Sequence, residues 1–490
     1  MNPFYIITII VLYFLVLIII SHLTKGNSDN NTFFLAQRKS KWYIVAYGMI
    51  GASLSGVTFL SVPGWVGGSN PQEFFYMQMV LGYIPGYLFI AYVLIPVFYR
   101  MKVYSIYQFL KLRFGFYSHK FGSFYFFISR VIGASLRLFL VVEVLQLLIF
   151  DEIGISFYVT TMVAIGLIWI YTNQGGMKTI IWTDTLQTTF MILTALICIF
   201  SLFDELGYNS IQDSIEQSSL SLRFFMFDSF REKNHFIRYF LSGMFIAIAM
   251  TGLDQDMMQK NLTCKSLIGA QRNIIGLAIS LIFVNLLFLY LGALLYDYAS
   301  MCGINAQGDQ LFTSVIMSNH LGIFVFISFL LGLISAAYSS ADSALTSLTT
   351  CFCIDFLNIE KESSNTKALK TRKYVHLFVS ILIFCFIIFI KFINQGSIIS
   401  TLFTFAGYTY GPLLGLFFFG LFTKRQLIDC YVPFIVILSP LLTFGISHYS
   451  YVINFEFGYE LLLINGLITF LGLLFISYSH DDVSSSNKLV

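Results

Sequence analysis

The chain has 490 residues, of which 57% are hydrophobic and 11% are charged, and its formal net charge is +3. This composition excludes a soluble globular domain and indicates a protein that crosses a membrane many times. The basic residues form no cluster of the kind that binds nucleic acid, so no nucleic-acid partner is expected.

Thirteen apolar segments are long enough to cross a bilayer as helices, at roughly 20 residues each. They lie at residues 4–21, 43–66, 73–98, 121–150, 154–172, 179–203, 236–258, 269–297, 321–355, 374–393, 397–422, 428–449 and 457–478. The first lacks the basic start and the small-residue cleavage site of a signal peptide, so we expect it to be a retained helix. The chain is thus predicted to form one membrane domain, residues 1–490.

The connections between the spans differ in charge and length. Most Lys and Arg residues fall on one side, including the basic segment 361–373, and the positive-inside rule places that side in the cytoplasm. This predicts a multi-pass protein of the plasma (inner) membrane with its N-terminus outside and its C-terminus in the cytoplasm. The longest connection, residues 204–235, is expected to carry a short surface helix, and the polar tail 479–490 to be disordered.

The second span contains several residues that weaken a helix, namely Gly48, Gly51, Gly56, Pro63 and Gly64. In transporters an interrupted span indicates the substrate site, because the broken backbone offers free carbonyl groups and helix ends. The alternative is the ordinary tolerance of Gly and Pro in membrane helices.

Charged residues also lie inside or beside later spans. Arg130 and Arg137 are seven residues apart and therefore share one face of the fourth span, where pairing with Glu143 or with backbone carbonyls is the alternative to a binding role. At the end of the seventh span, Asp254 and Asp256 are either cavity residues or caps of a cytoplasmic helix end beside Lys260, and we favour the cap.

The most informative stretch is residues 331–355 in the ninth span. At 100° per residue, one side of this helix carries Ser335, Ser339, Asp342, Ser343, Thr346 and Thr350. Such a stripe of small residues can simply allow close helix packing. However, an ionisable group in a bilayer is costly, so Asp342 needs a partner, a cavity or an ion. Hydroxyl and carboxylate oxygens are ligands that suit a small hard cation.

Five stretches together resemble the sodium:solute symporter family, which includes sodium/galactose, sodium/proline and sialic acid symporters. They are residues 48–64, 175–187, 251–260, 331–355 and 406–425, in the family's order. The resemblance implies an all-α polytopic membrane protein with the LeuT-like fold. This fold is an inverted repeat of five plus five helices, here within residues 43–422, preceded by the helix 4–21 and followed by two helices in 428–478.

The resemblance also implies two ion sites. The main sodium site would use the carbonyls of Gly51, Leu54 and Ala336 and the hydroxyls of Ser339 and Ser340. Some members have a second sodium site, which here would fall on Asp184, Ser339, Asp342 and Ser343. Many members carry a serine where this chain has Asp342.

The solute would lie between the broken second span and the third and seventh spans. The lining candidates are Ser53, Ser55, Thr58 and Gln78. Either Arg137 or Arg130 could receive a substrate carboxylate, as an arginine does in the sialic acid symporters.

The sequence thus predicts a secondary active transporter, not an enzyme, that uses sodium flow to import a small polar organic solute such as a sugar, sialic acid, amino acid or carboxylate. Coupling to protons through Asp184 and Asp342 is the first alternative, and a solute sensor of the same fold is another. A channel is disfavoured because no repeated pore loop is present. A membrane enzyme is disfavoured because the sequence has no clustered His/Cys set and no Ser/His/Asp arrangement.

Overall fold

A computed structural model describes residues 3–24, 30–69, 71–318, 321–359, 366–393, 398–450, 452 and 455–478. The first helices are α1 (Pro3–Thr24), α2 (Asn30–Leu35), α3 (Trp42–Trp65), α4 (Tyr76–Phe89), α5 (Ile95–Met101), α6 (Gln108–Arg113), α7 (Phe116–Leu145), α8 (Phe157–Gly175), α9 (Met177–Leu206) and α10 (Ile211–Gln217). They are followed by α11 (Phe236–Ala247), α12 (Gln255–Leu262), α13 (Leu267–Met301), α14 (Leu311–Met317), α15 (Gly322–Cys351), α16 (Thr366–Ile393), α17 (Ile398–Phe422), α18 (Val432–Ser450) and α19 (Leu461–Phe475). The short strands β1 (Gln426–Leu427) and β2 (Ser477–Tyr478) pair antiparallel.

Each of the thirteen predicted segments contains a helix, but the count of thirteen spanning helices is not confirmed. Within the described residues, ten helices are long and apolar enough to cross a membrane, or eleven if α11 and α12 form one bent span. The other two segments correspond to the shorter apolar stretches Phe157–Asn173 and Leu461–Phe475. The surface helix expected in residues 204–235 is present as α10. The tail 479–490 and part of the basic segment 361–373 lie outside the described residues.

Two spans are broken near the centre of the protein. In α3, Ser55 has a φ of 55° and a ψ of 173°, so the helix is interrupted where the glycine-rich sequence weakens it. Between α11 and α12 the axis bends by 64°. The Asp254 carboxylate caps the start of α12 by accepting hydrogen bonds from the backbone N–H groups of Asp256 and Met257. The cap favoured from the sequence is thus confirmed for Asp254, whereas Asp256 lies inside the first turn of α12 and both side chains are buried.

The helix α15 lies at the centre of the bundle and packs against α9, α3 and α7. All its residues from Gly332 to Cys351 are buried. Small side chains permit this close packing: a Cβ on Gly332 would collide with the Thr194 side chain of α9. The polar stripe predicted on α15 is therefore inside the protein, and its oxygens must find partners there.

Candidate functional site: a broken helix facing a hydroxyl stripe

The break in α3 makes backbone oxygens available. The interruption at Ser55 places the carbonyls of the preceding turn, including those of Gly51 and Leu54, at a helix end, where carbonyl groups are expected to lack regular helical donors. Gly51 allows α3 to approach α9 closely, and its N–H donates a 3.1 Å hydrogen bond to the Thr188 hydroxyl of α9. This close approach brings the broken turn into the protein interior.

Two neighbouring serines of α15 carry the hydroxyls expected at the main sodium site, and the Ala336 carbonyl belongs to the same helix. The Ser340 hydroxyl is buried and has no hydrogen-bond partner in the described part of the chain. The Ser339 hydroxyl donates to Asp184 Oδ1 at 2.9 Å, so its lone pairs remain free to bind a cation. An unpartnered buried hydroxyl is costly, and a sodium ion would satisfy it.

Asp184 is held by a residue that the sequence analysis assigned to a helix end. The Lys260 ammonium of α12 donates to Asp184 Oδ2 at 2.7 Å, and each side chain is only 1% exposed. The sequence predicted that Lys260 lies beside a cytoplasmic helix end, whereas the structure buries its side chain against Asp184. The bend before α12 turns Lys260 inward, where a buried carboxylate compensates its charge.

Asp342 lies on the same buried stripe and is held by other donors. Its Oδ2 accepts a 2.9 Å hydrogen bond from the Tyr171 hydroxyl, and its Oδ1 accepts a 2.6 Å bond from the Ser343 backbone N–H. The Ser343 hydroxyl, in contrast, is buried without a partner among the described residues. The four side chains that the resemblance implies for a second sodium site, those of Asp184, Ser339, Asp342 and Ser343, are therefore all buried, but both carboxylates already accept hydrogen bonds.

A cavity of about 90 Å³ adjoins the break in α3. Three of the predicted lining residues, Ser53, Ser55 and Thr58, border it, and so does Arg137 of α7. The remaining wall is formed largely by apolar and aromatic side chains of α4, α11, α13 and α17. Leu54 also borders the cavity, so the candidate sodium site and the candidate solute site are adjacent. A larger cavity of about 800 Å³ lies at the C-terminal end of α3.

The two arginines of α7 have different environments. Arg137 is 8% exposed, and its Nε and Nη1 atoms find no hydrogen-bond partner within the described residues. Arg130 forms an ion pair with Asp256 and lies 3.7 Å from a carboxylate oxygen of Asp254. The pairing with Glu143 considered from the sequence is thus replaced, for Arg130, by a pairing with the start of α12. Arg137 is the arginine that faces the cavity.

Gln78 does not border the cavity, although the sequence analysis included it among the lining candidates. Its side-chain amide donates to the carbonyls of Phe75 and Asn234 and accepts from the Met226 N–H, so backbone groups occupy it. Gln78 lies in the first turn of α4, and its hydrogen bonds attach the connection before α11 to this turn.

Several cavity residues were missed by the sequence analysis. Tyr83 and Tyr87 of α4, Thr251 at the second break and Asn285 of α13 all border the cavity. The spacing of Tyr83 and Tyr87, four residues apart, places them on one helix face and was a usable signal. Thr251 and Asn285 have no comparable pattern, since single polar residues occur throughout membrane helices.

Relatives of known function and structure match most of the chain. The sodium/sialic acid symporter SiaT of Proteus mirabilis is 24% identical, and the match covers 82% of this chain and 82% of the relative. The rabbit sodium-dependent multivitamin transporter is 26% identical, with 85% of this chain and 66% of the relative covered. The human sodium-coupled monocarboxylate transporter 2 is 24% identical, with 81% of this chain and 64% of the relative covered. The chain therefore spans about two thirds of the two mammalian relatives.

Solved structures give the fold. A Na⁺-coupled sialic acid symporter in a substrate-bound outward-open state superposes with a TM-score of 0.81 at 19% identity, covering 96% of this chain and 97% of that chain. The transporter Mhp1, with bromovinylhydantoin bound, gives a TM-score of 0.56 at 13% identity, covering 92% and 94%. The fold is thus the LeuT-like fold expected from the sequence. The family model of the sodium:solute symporters matches residues 33–427, and the chain belongs to this family.

Proposed function

We propose that this protein couples sodium flow to the import of a small organic anion, and that Arg137 binds the carboxylate of this solute. Membership of the sodium:solute symporter family supports sodium-coupled symport of a small solute. The observation that carries the anionic solute is the buried guanidinium of Arg137 at the cavity, whose Nε and Nη1 atoms have no hydrogen-bond partner among the described residues. A buried cation without a partner is unfavourable, and a carboxylate would give it a bidentate partner.

The size of the cavity supports a small solute. Its volume of about 90 Å³ is well below the roughly 300–1,000 Å³ typical of pockets for drug-sized ligands. The aromatic wall, which includes Tyr83 and Tyr87, suits an apolar group beside the carboxylate. We therefore favour a small monocarboxylate over a large sugar acid, although the mammalian and bacterial relatives include transporters of both kinds.

Sodium would bind beside the solute, at the carbonyls of Gly51, Leu54 and Ala336 and the hydroxyls of Ser339 and Ser340. Support comes from the break in α3 and from the unpartnered Ser340 hydroxyl. We also propose that residues 1–490 form one transport domain in the plasma (inner) membrane, with the N-terminus outside. Alternating access would then expose the cavity to each side in turn.

A thermal-stability screen of the purified protein tests this proposal. A ligand that binds only the folded state raises Tm by mass action. We expect small carboxylates such as lactate, pyruvate and nicotinate to raise Tm in sodium but not in choline, while the matching uncharged amides have no effect. A neutral sugar that stabilises better than every carboxylate would contradict the anionic solute.

Arg137 variants sharpen the screen. Arg137→Gln should abolish the rise in Tm caused by carboxylates. Arg137→Lys should weaken this rise sharply, because an ammonium cannot form the bidentate pair with both carboxylate oxygens. The loss of a charge-assisted hydrogen bond of about 1.5–3 kcal/mol corresponds to an affinity change of roughly 10- to 150-fold. Unchanged affinity in both variants would remove Arg137 from the solute site.

A further inference from the structure

The ion pair between Lys260 and Asp184 has a consequence for the number of ions bound. We propose that the Lys260 ammonium takes the place of a second sodium ion, so that this protein binds one sodium ion where a second site would otherwise form around Asp184. The inference rests on the proposed sodium coupling, and it concerns the possible second site that the sequence suggested.

The first step is the occupancy of the Asp184 carboxylate. Its Oδ2 accepts from Lys260 at 2.7 Å and its Oδ1 accepts from the Ser339 hydroxyl at 2.9 Å. A sodium ion bound to the same carboxylate would stand next to the ammonium, and two like charges in a buried site repel each other strongly. The pair is 1% exposed on both sides, so water does not screen this repulsion.

The second step concerns Asp342, the other carboxylate of the suggested site. Both of its oxygens accept hydrogen bonds, from the Tyr171 hydroxyl and the Ser343 N–H. Of the suggested set, only the Ser343 hydroxyl has no hydrogen-bond partner in the described part of the chain. A second sodium ion would therefore have to share oxygens that already accept hydrogen bonds, beside a carboxylate whose charge the Lys260 ammonium already compensates.

The third step links the ion pair to the main sodium site. A serine hydroxyl has one hydrogen, and the hydrogen of Ser339 points at Asp184. The lone pairs of the Ser339 oxygen therefore point away from Asp184 and are available to bind a sodium ion. Because Lys260 fixes the Asp184 carboxylate, it also fixes this orientation. Lys260 is thus a positioning residue for the main site as well as a built-in cation.

Binding of radioactive sodium to the purified protein, with no solute present, tests the proposal directly. We expect wild-type protein to bind one ion with a Hill coefficient near one. Lys260→Met keeps an unbranched side chain of similar length but removes the charge, which leaves Asp184 without its cation. This variant should bind a second sodium ion, with the Hill coefficient rising towards two and a steeper increase of Tm with sodium.

The double variant Lys260→Met/Asp184→Asn is the matched control, since it removes both charges and should bind one ion. Two ions bound by wild type would overturn the inference, and this measurement decides even if Lys260→Met fails to fold. A folded Lys260→Met that still binds one ion would also overturn it. Wild-type protein that binds no sodium at all would instead contradict the proposed function.

Discussion

Replacing Ser340 by alanine tests whether the Ser340 hydroxyl binds sodium or only takes part in helix packing. The Ser340 hydroxyl is buried and has no partner among the described atoms, so in the ion-free protein its removal deletes a costly unsatisfied group. The fold should therefore be unchanged or slightly more stable without sodium, and alanine also favours the helix. In sodium, by contrast, the variant lacks one ligand oxygen.

The expected magnitude follows from the lost contact. A hydrogen bond to a charged group contributes about 1.5–3 kcal/mol, and we take a similar value for a hydroxyl that binds a cation in a buried site. Since 1.4 kcal/mol is about a factor of ten, the sodium concentration for half-maximal effect should rise by roughly 10- to 150-fold.

The assay is the dependence of Tm on sodium concentration at constant ionic strength, with choline as the replacing cation. Ser347→Ala is the matched control. Ser347 lies on the same buried face of α15 as Ser340, but its hydroxyl donates a 3.0 Å hydrogen bond to the Ala344 carbonyl of the same helix. It should leave the sodium dependence unchanged. If Ser340→Ala behaves like Ser347→Ala, the hydroxyl stripe of α15 serves packing and the sodium site lies elsewhere.

Three further substitutions test other parts of the account. Gly51→Ala places a Cβ against a threonine hydroxyl of α9, so thermal unfolding should show a loss of about 1–3 kcal/mol of stability and weaker sodium binding. Gly133→Ala is the control, because there is open space around Gly133, and it should change neither the stability nor the sodium binding. Arg130→Gln leaves buried carboxylates unpaired and should destabilise the fold by about 3–5 kcal/mol in the same assay. Burial alone would raise the pKa of Glu73, but hydrogen bonds from Arg223 outweigh burial and hold this pKa below its ordinary 4.5. The contact between Glu73 and Arg223 therefore stabilises the fold above pH 4.5, and this stabilisation is lost as the pH falls through the lowered pKa. Proteolysis of residues 218–230 should accordingly increase in acid for wild type and be independent of pH in Glu73→Gln.

The parts of the site that follow from local sequence were predictable. Helical periodicity placed Ser339, Asp342 and Ser343 on one face of α15, and the cluster of glycines indicated that the second span is broken. Both are properties of a short stretch of chain. The helix count was less certain because α8 and α19 are apolar but short, and length is the criterion that decides whether a helix can span the bilayer.

Contacts between distant segments were not predictable. Lys260 meets Asp184 across 76 residues of sequence, and the meeting depends on the bend before α12. Arg130 and Arg137 share a helix face, but seven residues correspond to about 10 Å along the axis. That distance puts one beside the acidic start of α12 and the other at the cavity, a difference that periodicity alone does not contain.

Sodium-driven accumulation in proteoliposomes tests the central claim most directly. Protein would be reconstituted with a radioactive carboxylate identified by the stability screen, and an inward sodium gradient would be compared with equal gradients of potassium and choline. The account predicts that the solute accumulates above its external concentration only with the sodium gradient, and that Arg137→Gln abolishes this accumulation. Equal uptake with potassium or choline in place of sodium would contradict it.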